Sequence, residues 1–132
     1  MSRCGCSGHS VTSAHLDFKI DNNGTWMDAT QFGAPDGYQW NFEGQGFEMD
    51  VQLNRYDQTP LLQMSTADGR IVIDDVYQRV IHFNVAPDDI QASLKPGCYV
   101  YDLVMVDASN PATRVPLLHG TVEVVQGVTY PP

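Results

Sequence analysis

The sequence predicts an all-β fold, an antiparallel sandwich of about 7 to 9 short strands. Three observations predict it. Apolar residues recur with a period of two in short runs. Clusters of Gly, Pro, Asn and Asp interrupt those runs at intervals of about 8 to 14 residues. Outside one short stretch, nothing carries the apolar period of a helix. At 132 residues, 42% of them hydrophobic and 10% aromatic, the chain is sized for a single core.

Residues 1–13 (MSRCGCSGHSVTS) have almost no apolar periodicity and are expected to form a flexible Cys/Gly/Ser-rich arm, with one domain over 14–132. The first strand is expected over 15–20, where Leu16, Phe18 and Ile20 share one face and His15, Asp17 and Lys19 the other. Asp21-Asn22-Asn23-Gly24 closes it in a tight turn, because these residues tolerate left-handed backbone or bond to their own main chain. A short strand is expected over 25–27, a loop over 30–37 and another short strand over 38–42. The clearest strand is 47–54, where Phe47, Met49, Val51 and Leu53 alternate with Glu48, Asp50, Gln52 and Asn54. A strand over 61–65 leads to Ala67-Asp68-Gly69, which reads as a hairpin turn into Ile71 and Ile73, since Gly69 supplies the positive φ such turns need.

In the second half, 80–85 alternates again, with Ile81, Phe83 and Val85 inward. Pro87-Asp88-Asp89-Ile90 opens one short helical turn near 87–92, Pro suiting the first helical position and acids the N-terminus. Lys95-Pro96-Gly97 turns the chain into 98–106, a run apolar on both faces apart from Asp102 and so a central strand. A turn is expected over 107–112, a partner strand over 114–118, a bulge or bend at Gly120, and a last strand through Val122 and Val124.

The helical turn, then Gly97, then Tyr99 two residues on, is the pattern of one corner of immunoglobulin-like sandwiches. There a tyrosine returns its hydroxyl to the upstream backbone while its ring closes the end of the core. Tyr99 is expected in that role, which narrows the fold class to an Ig-like antiparallel β-sandwich; the alternative is an ordinary strand aromatic. Gly97, Tyr99, Asp68 and Gly69 are thus the structural positions to examine.

Sixteen acidic against seven basic residues give a formal charge of −9, which repels phosphate backbones and anionic lipid, so neither nucleic acid nor a membrane is an expected partner. No run approaches the roughly 18 to 20 apolar residues of a membrane span. The first residues lack the apolar core of a signal peptide, and synthesis and folding in a cytoplasm are expected. Three cysteines, two of them separated by one glycine, argue against a disulfide framework.

Cys4, Cys6 and His9 are the one constellation of metal-ligand types close in sequence, suited to zinc or iron. Three ligands leave a tetrahedral site open, and Cys98, His15 or a second arm are the groups that would complete it; the alternative is an arm with free thiols. Trp26, Tyr38, Trp40 and Phe42 gather around a Gly/Pro-rich loop, either as a sugar- or protein-binding platform or as core caps. Asp74-Asp75 and Asp88-Asp89 read as a turn and a helix start, not as a calcium loop. No nucleophile elbow, phosphate-binding loop or two-histidine metalloprotease helix is present, so no catalytic residue and no enzyme activity is expected.

Several stretches together resemble the small β-sandwich structural proteins of tailed bacteriophages, in particular the collar and long-tail-fibre connector family. They are Asp68-Gly69-Arg70-Ile71-Val72-Ile73, Val80-Ile81-His82-Phe83 with Ala86-Pro87-Asp88-Asp89, Leu94 through Leu103, and Arg114 through Val124 with Val128-Thr129. The resemblance implies a non-enzymatic virion protein made in the host cytoplasm, arranged as a homo-oligomeric ring. Its partners would be tail, neck or fibre subunits, at a collar or baseplate. It carries no catalytic residue set and no cofactor. The alternatives are a carbohydrate- or receptor-binding module and a capsid decoration protein.

Overall fold

The computed structural model describes residues 13–33, 41–57 and 59–128. They form an all-β, Ig-like sandwich. Its strands are β1 (Ala14–His15), β2 (Phe18–Asp21), β3 (Ala29–Gln31), β4 (Gln45–Gln52), β5 (Leu62–Ser65), β6 (Ile71–Asp75), β7 (Val80–Phe83), β8 (Gly97–Asp107) and β9 (Asn110–Val125), with one helix, α1 (Pro87–Ser93), between β7 and β8. One sheet has the order β1-β9-β8-β4-β5, with β2 also on β9; the other has the order β3-β7-β6.

The inner faces follow the period-two pattern. Phe47, Met49 and Val51 of β4 and Tyr99, Tyr101 and Leu103 of β8 are buried against Ile71, Ile81 and Phe83 of the smaller sheet. A ring cluster joins the layers: Phe18 lies 5.4 Å from Phe83 and 5.4 Å from Tyr101, and Trp26 5.0 Å from Phe83. Offset and edge-to-face rings at such separations add to the burial of their own area. Strand β8 is central, between β4 and β9, as its two apolar faces require.

The tyrosine corner is present. Pro at the helix start, Asp88 and Asp89 in the first turn and buried Ile90 make α1 a short cover on the core, and the Tyr99 hydroxyl donates to the Lys95 carbonyl at 2.5 Å. Gly97, at φ 155°, opens β8 just ahead of that tyrosine.

Several expectations are corrected. The sandwich is not wholly antiparallel: β1 and β2 run parallel to β9, pairing Ala14 with Leu118 and Phe18 with Val122. Alternation is the same for either direction, and a parallel pair needs a long connection, here the rest of the domain. The run 15–20 is interrupted at Leu16 and Asp17. A Cβ at Gly120 would collide with the Leu16 carbonyl, so the chain steps over the glycine there and β1 ends. Thr30 and Gln31, placed in a loop by the sequence, form with Ala29 a strand that pairs with β7, whereas 25–27 holds only the bridge Trp26–Val85. Asn41 and Phe42 lie outside any strand, although Phe42 is buried; the remainder of 38–42 is outside the described residues.

Asp68-Gly69 turns the chain as expected, with Asp68 Oδ1 accepting the Ser65 and Arg70 N–H groups and Gly69 at φ 80°, but it makes no hairpin. β5 pairs with β4 and β6 with β7, so the turn carries the chain from one sheet to the other. Arg70 holds the crossing from both sides, donating to the Gln63 carbonyl and pairing with Asp89. Leu53, assigned inward, is 61% exposed because β4 ends at Gln52. The turn expected over 107–112 is shorter, and β9 runs from Asn110 past Gly120, its register against β8 shifting between Asn110 and Arg114 and again at Leu117, not at Gly120 where a bulge was expected.

Candidate functional site

The outer face of the larger sheet carries a polar row that sequence alone does not show. Register places Gln63, Asp50, Asp102, His119 and His15 side by side across β5, β4, β8, β9 and β1. The only hint in the sequence is Asp102, the one charge inside the apolar β8 run. Above and below it on the same strand stand half-buried Val100 and Val104. Asp50 and Asp102 oppose each other directly, an unfavourable like-charge pairing. Asp102 keeps contact with solvent, yet its carboxyl is held above the usual range, first because neighbouring side chains exclude water and then because Asp50 faces it; Arg114 and His119 pull the other way.

At the β9 edge the row meets a bonded cluster. The Ser13 hydroxyl and His119 Nδ1 are 2.6 Å apart, His15 lies edge-on to His119 at 5.2 Å, and His15 Nε2 is 3.0 Å from Asp17 Oδ1. That same oxygen accepts the Thr121 N–H and hydroxyl. Burial raises the Asp17 carboxyl, but the bonds from His15 and Thr121 outweigh it and leave the group below its ordinary value. Ser13, assigned to the arm, thus belongs to the sandwich. Folding brings Ser13, His119 and Asp102 together, the residue types of a hydrolytic triad, but the serine occupies Nδ1, the nitrogen that the acid orients in that mechanism. The cluster works as a clasp for β1 and β2.

The sequence-predicted site residues fare differently. Cys4, Cys6 and His9 lie outside the described residues, as do Tyr38 and Trp40. Trp26 is no platform ring: it is 2% exposed, between Phe18 and Phe83, with its indole N–H donating to Asp28. Of the groups that would complete a metal site, His15 is engaged with Asp17, and Cys98 is disulfide-bonded. The sequence argues against a disulfide framework, and Cys98 is nevertheless disulfide-bonded. Among the described residues no group of three or more His, Cys, Asp or Glu is placed to hold a metal ion. Also among them, no helix is long and apolar enough to cross a membrane.

A second surface lies at the end of β4. Leu53, Tyr56 and Leu61 are 61%, 85% and 44% exposed on the loop to β5. The loop is tied down by its own polar groups: Gln52 donates to the Asn54 and Asp57 carbonyls, the Asp57 carboxylate accepts the Asn54 N–H, and the Asn54 side chain accepts that of Tyr56. Leu53 and Tyr56 are thereby presented to solvent on a hydrogen-bonded turn, and Leu61 is exposed where its N–H bonds to the Val51 carbonyl.

No protein-family model matches the chain, and no curated protein matches it. Among solved structures, one match is Drosophila OTK, extracellular domains 3-5, at 15% identity and a TM-score of 0.36; the match covers 87% of this chain and 35% of that one.

Proposed function

We propose that the chain is a non-enzymatic structural module of a tailed-bacteriophage virion, a tail, neck, collar or baseplate component that joins the tail to fibres or to neighbouring ring proteins. The observation that carries the assembly role is the hydrogen-bonded turn that holds Leu53 and Tyr56 in solvent, with Leu61 exposed beside β4. Large apolar side chains exposed in this way gain nothing for the monomer and are suited to a protein partner. The virion setting rests on the resemblance of the strands to collar and long-tail-fibre connector proteins. A carbohydrate platform built on Trp26 has no support, since that ring is in the core.

Light scattering and native mass spectrometry of the purified chain test the assembly role. We expect a ring-sized oligomer that dissociates in Tyr56→Ser and Leu53→Ser while the fold is retained. Mass spectrometry of tailed particles produced from the genome that encodes this sequence tests the setting. A chain that stays monomeric at every concentration and is absent from those particles overturns the proposal.

A further inference from the structure

The turn at the end of β2, Asp21-Asn22-Asn23-Gly24, holds the last residues of the larger sheet. The Asn22 N–H donates to the Val125 carbonyl, the Gly127 N–H to Asn22 Oδ1, and the Asn22 amide to the Gln126 side chain. From α1, the Gln91 amide donates to the Asn22 carbonyl at 2.7 Å. Asn22 is 4% exposed and locked by these bonds. Asn23 is half-buried, its carboxamide lying where a Cβ at Gly127 would run into it.

Conformation does not require a glycine at position 24. Its φ lies outside the left-handed region, unlike those of Gly44 and Gly69, and a Cβ on it would meet nothing within 4 Å. Its N–H makes only a long contact with the Asp21 carbonyl, at 3.4 Å, beyond the usual hydrogen-bond range. What glycine does supply is an uncrowded backbone nitrogen directly after an asparagine. The chain's other asparagines lack this: Asn22 precedes Asn23, Asn41 precedes Phe42, Asn54 precedes Arg55, Asn84 precedes Val85, and Asn110 precedes Pro111, which has no N–H.

We propose that Asn23 is a site of spontaneous deamidation, and that the isoaspartate formed there loosens the hold of this turn on residues 125–127. The Gly24 nitrogen attacks Asn23 Cγ, closing a five-membered imide; the Cγ–Nδ2 bond breaks, and ammonia leaves with the Gly24 proton. Solvent water then opens the ring. Opening at Cγ gives aspartate, whereas opening at the residue 23 backbone carbonyl gives isoaspartate, whose main chain runs through Cβ and Cγ. No oxidant or reductant takes part. The isoaspartyl turn is one methylene longer and carries a carboxylate in place of the carboxamide packed on Gly127, so the Asn22 bonds to Gly127, Gln126 and Gln91 lose their alignment.

Peptide mapping and amide hydrogen exchange of the full chain, aged folded at mildly alkaline pH, test this. Isoaspartate and aspartate should accumulate at residue 23 while Asn54 and Asn84 keep their amides. Gly24→Val should slow the conversion several-fold, because a β-branched side chain crowds the nitrogen, and the open space around Gly24 lets the variant keep the fold. Gly24→Ala makes the same comparison if valine unsettles the turn. In the fractionated isoaspartyl form the Asn22 and Gly127 N–H groups should exchange several-fold faster, with Leu103 on the central strand as an unchanged reference. Asn23→Asp adds the charge without lengthening the chain and should change Gly127 exchange less. An Asn23 amide that stays intact in the folded chain while the urea-unfolded chain converts, a rate unaffected by either Gly24 variant, or equal Gly127 exchange in both forms overturns the proposal.

Discussion

The Tyr101 hydroxyl donates to the Leu16 carbonyl at 2.5 Å, reaching from the central strand β8 to the step between β1 and β2. Gly120 of the intervening strand lies beneath that carbonyl, and a Cβ there would run into it. The bond, the glycine and the Asp17–Thr121 contacts hold the first strands on the edge of the larger sheet. Burial, with the nearby Asp17 charge, pushes the Tyr101 phenol upward, so it remains a donor throughout the working pH range. Tyr101→Phe leaves a carbonyl without this donor and should cost about 1–3 kcal/mol in urea unfolding at unchanged m. Gly120→Ala should cost more, because backbone and not a side chain has to move; equal stability of the two variants would contradict the close approach.

Tyr99→Phe removes the corner bond to Lys95 while keeping the ring in the core. A loss of about 0.5–1.5 kcal/mol is expected in the midpoint of denaturation, typical of one hydrogen bond exchanged for water.

Asp17 and Asp102 should change stability with pH in opposite directions. The folded protein lowers Asp17, so its carboxylate contributes stability above the ordinary aspartate pKa, and that contribution is lost as pH falls through the folded value. Asp17→Asn should therefore be less stable at neutral pH and lose less on acidification below about pH 4. Asp102 is raised, so its ionised form weakens the fold above the ordinary pKa. Asp102→Asn should be more stable than the natural chain at pH 7, with the difference vanishing in acid. Thermal unfolding across pH checks both, and a neutral-pH loss in Asp102→Asn would refute the cost assigned to the Asp50–Asp102 pairing.

Phe83→Ala should cost about 3–5 kcal/mol, since Phe83 is 1% exposed and touches both Phe18 and Trp26. Tyr56→Ser, at an 85% exposed position, should stay within about 0.5 kcal/mol in stability while altering assembly. The pair separates core from surface in one denaturation experiment.

Much of the sandwich is legible from local chemistry. Phe47, Met49 and Val51 alternate with polar residues whatever their neighbours, Pro87-Asp88-Asp89 starts a helix by its own preferences, and Gly97-x-Tyr99 marks the corner from a span of a few residues. Asp68-Gly69 likewise specifies a turn, but which strands it joins depends on where β5 and β6 find partners, and these lie in different sheets. The direction of β1 and β2 against β9 escapes the pattern for the same reason, as period-two alternation carries no sign.

The amino-acid sequence by itself determined the class, the inward residues of the long strands and the tyrosine corner, because these depend on side-chain period and backbone preference within a few residues. Only the tertiary structure decided that Trp26 is core, that Leu53, Tyr56 and Leu61 are presented outward, and that Asp50, Asp102, His119 and His15 form one row. It also decided that Cys98 is not a thiol but half of a disulfide. Those relationships join residues tens of positions apart, and they exist only once strand register brings them side by side.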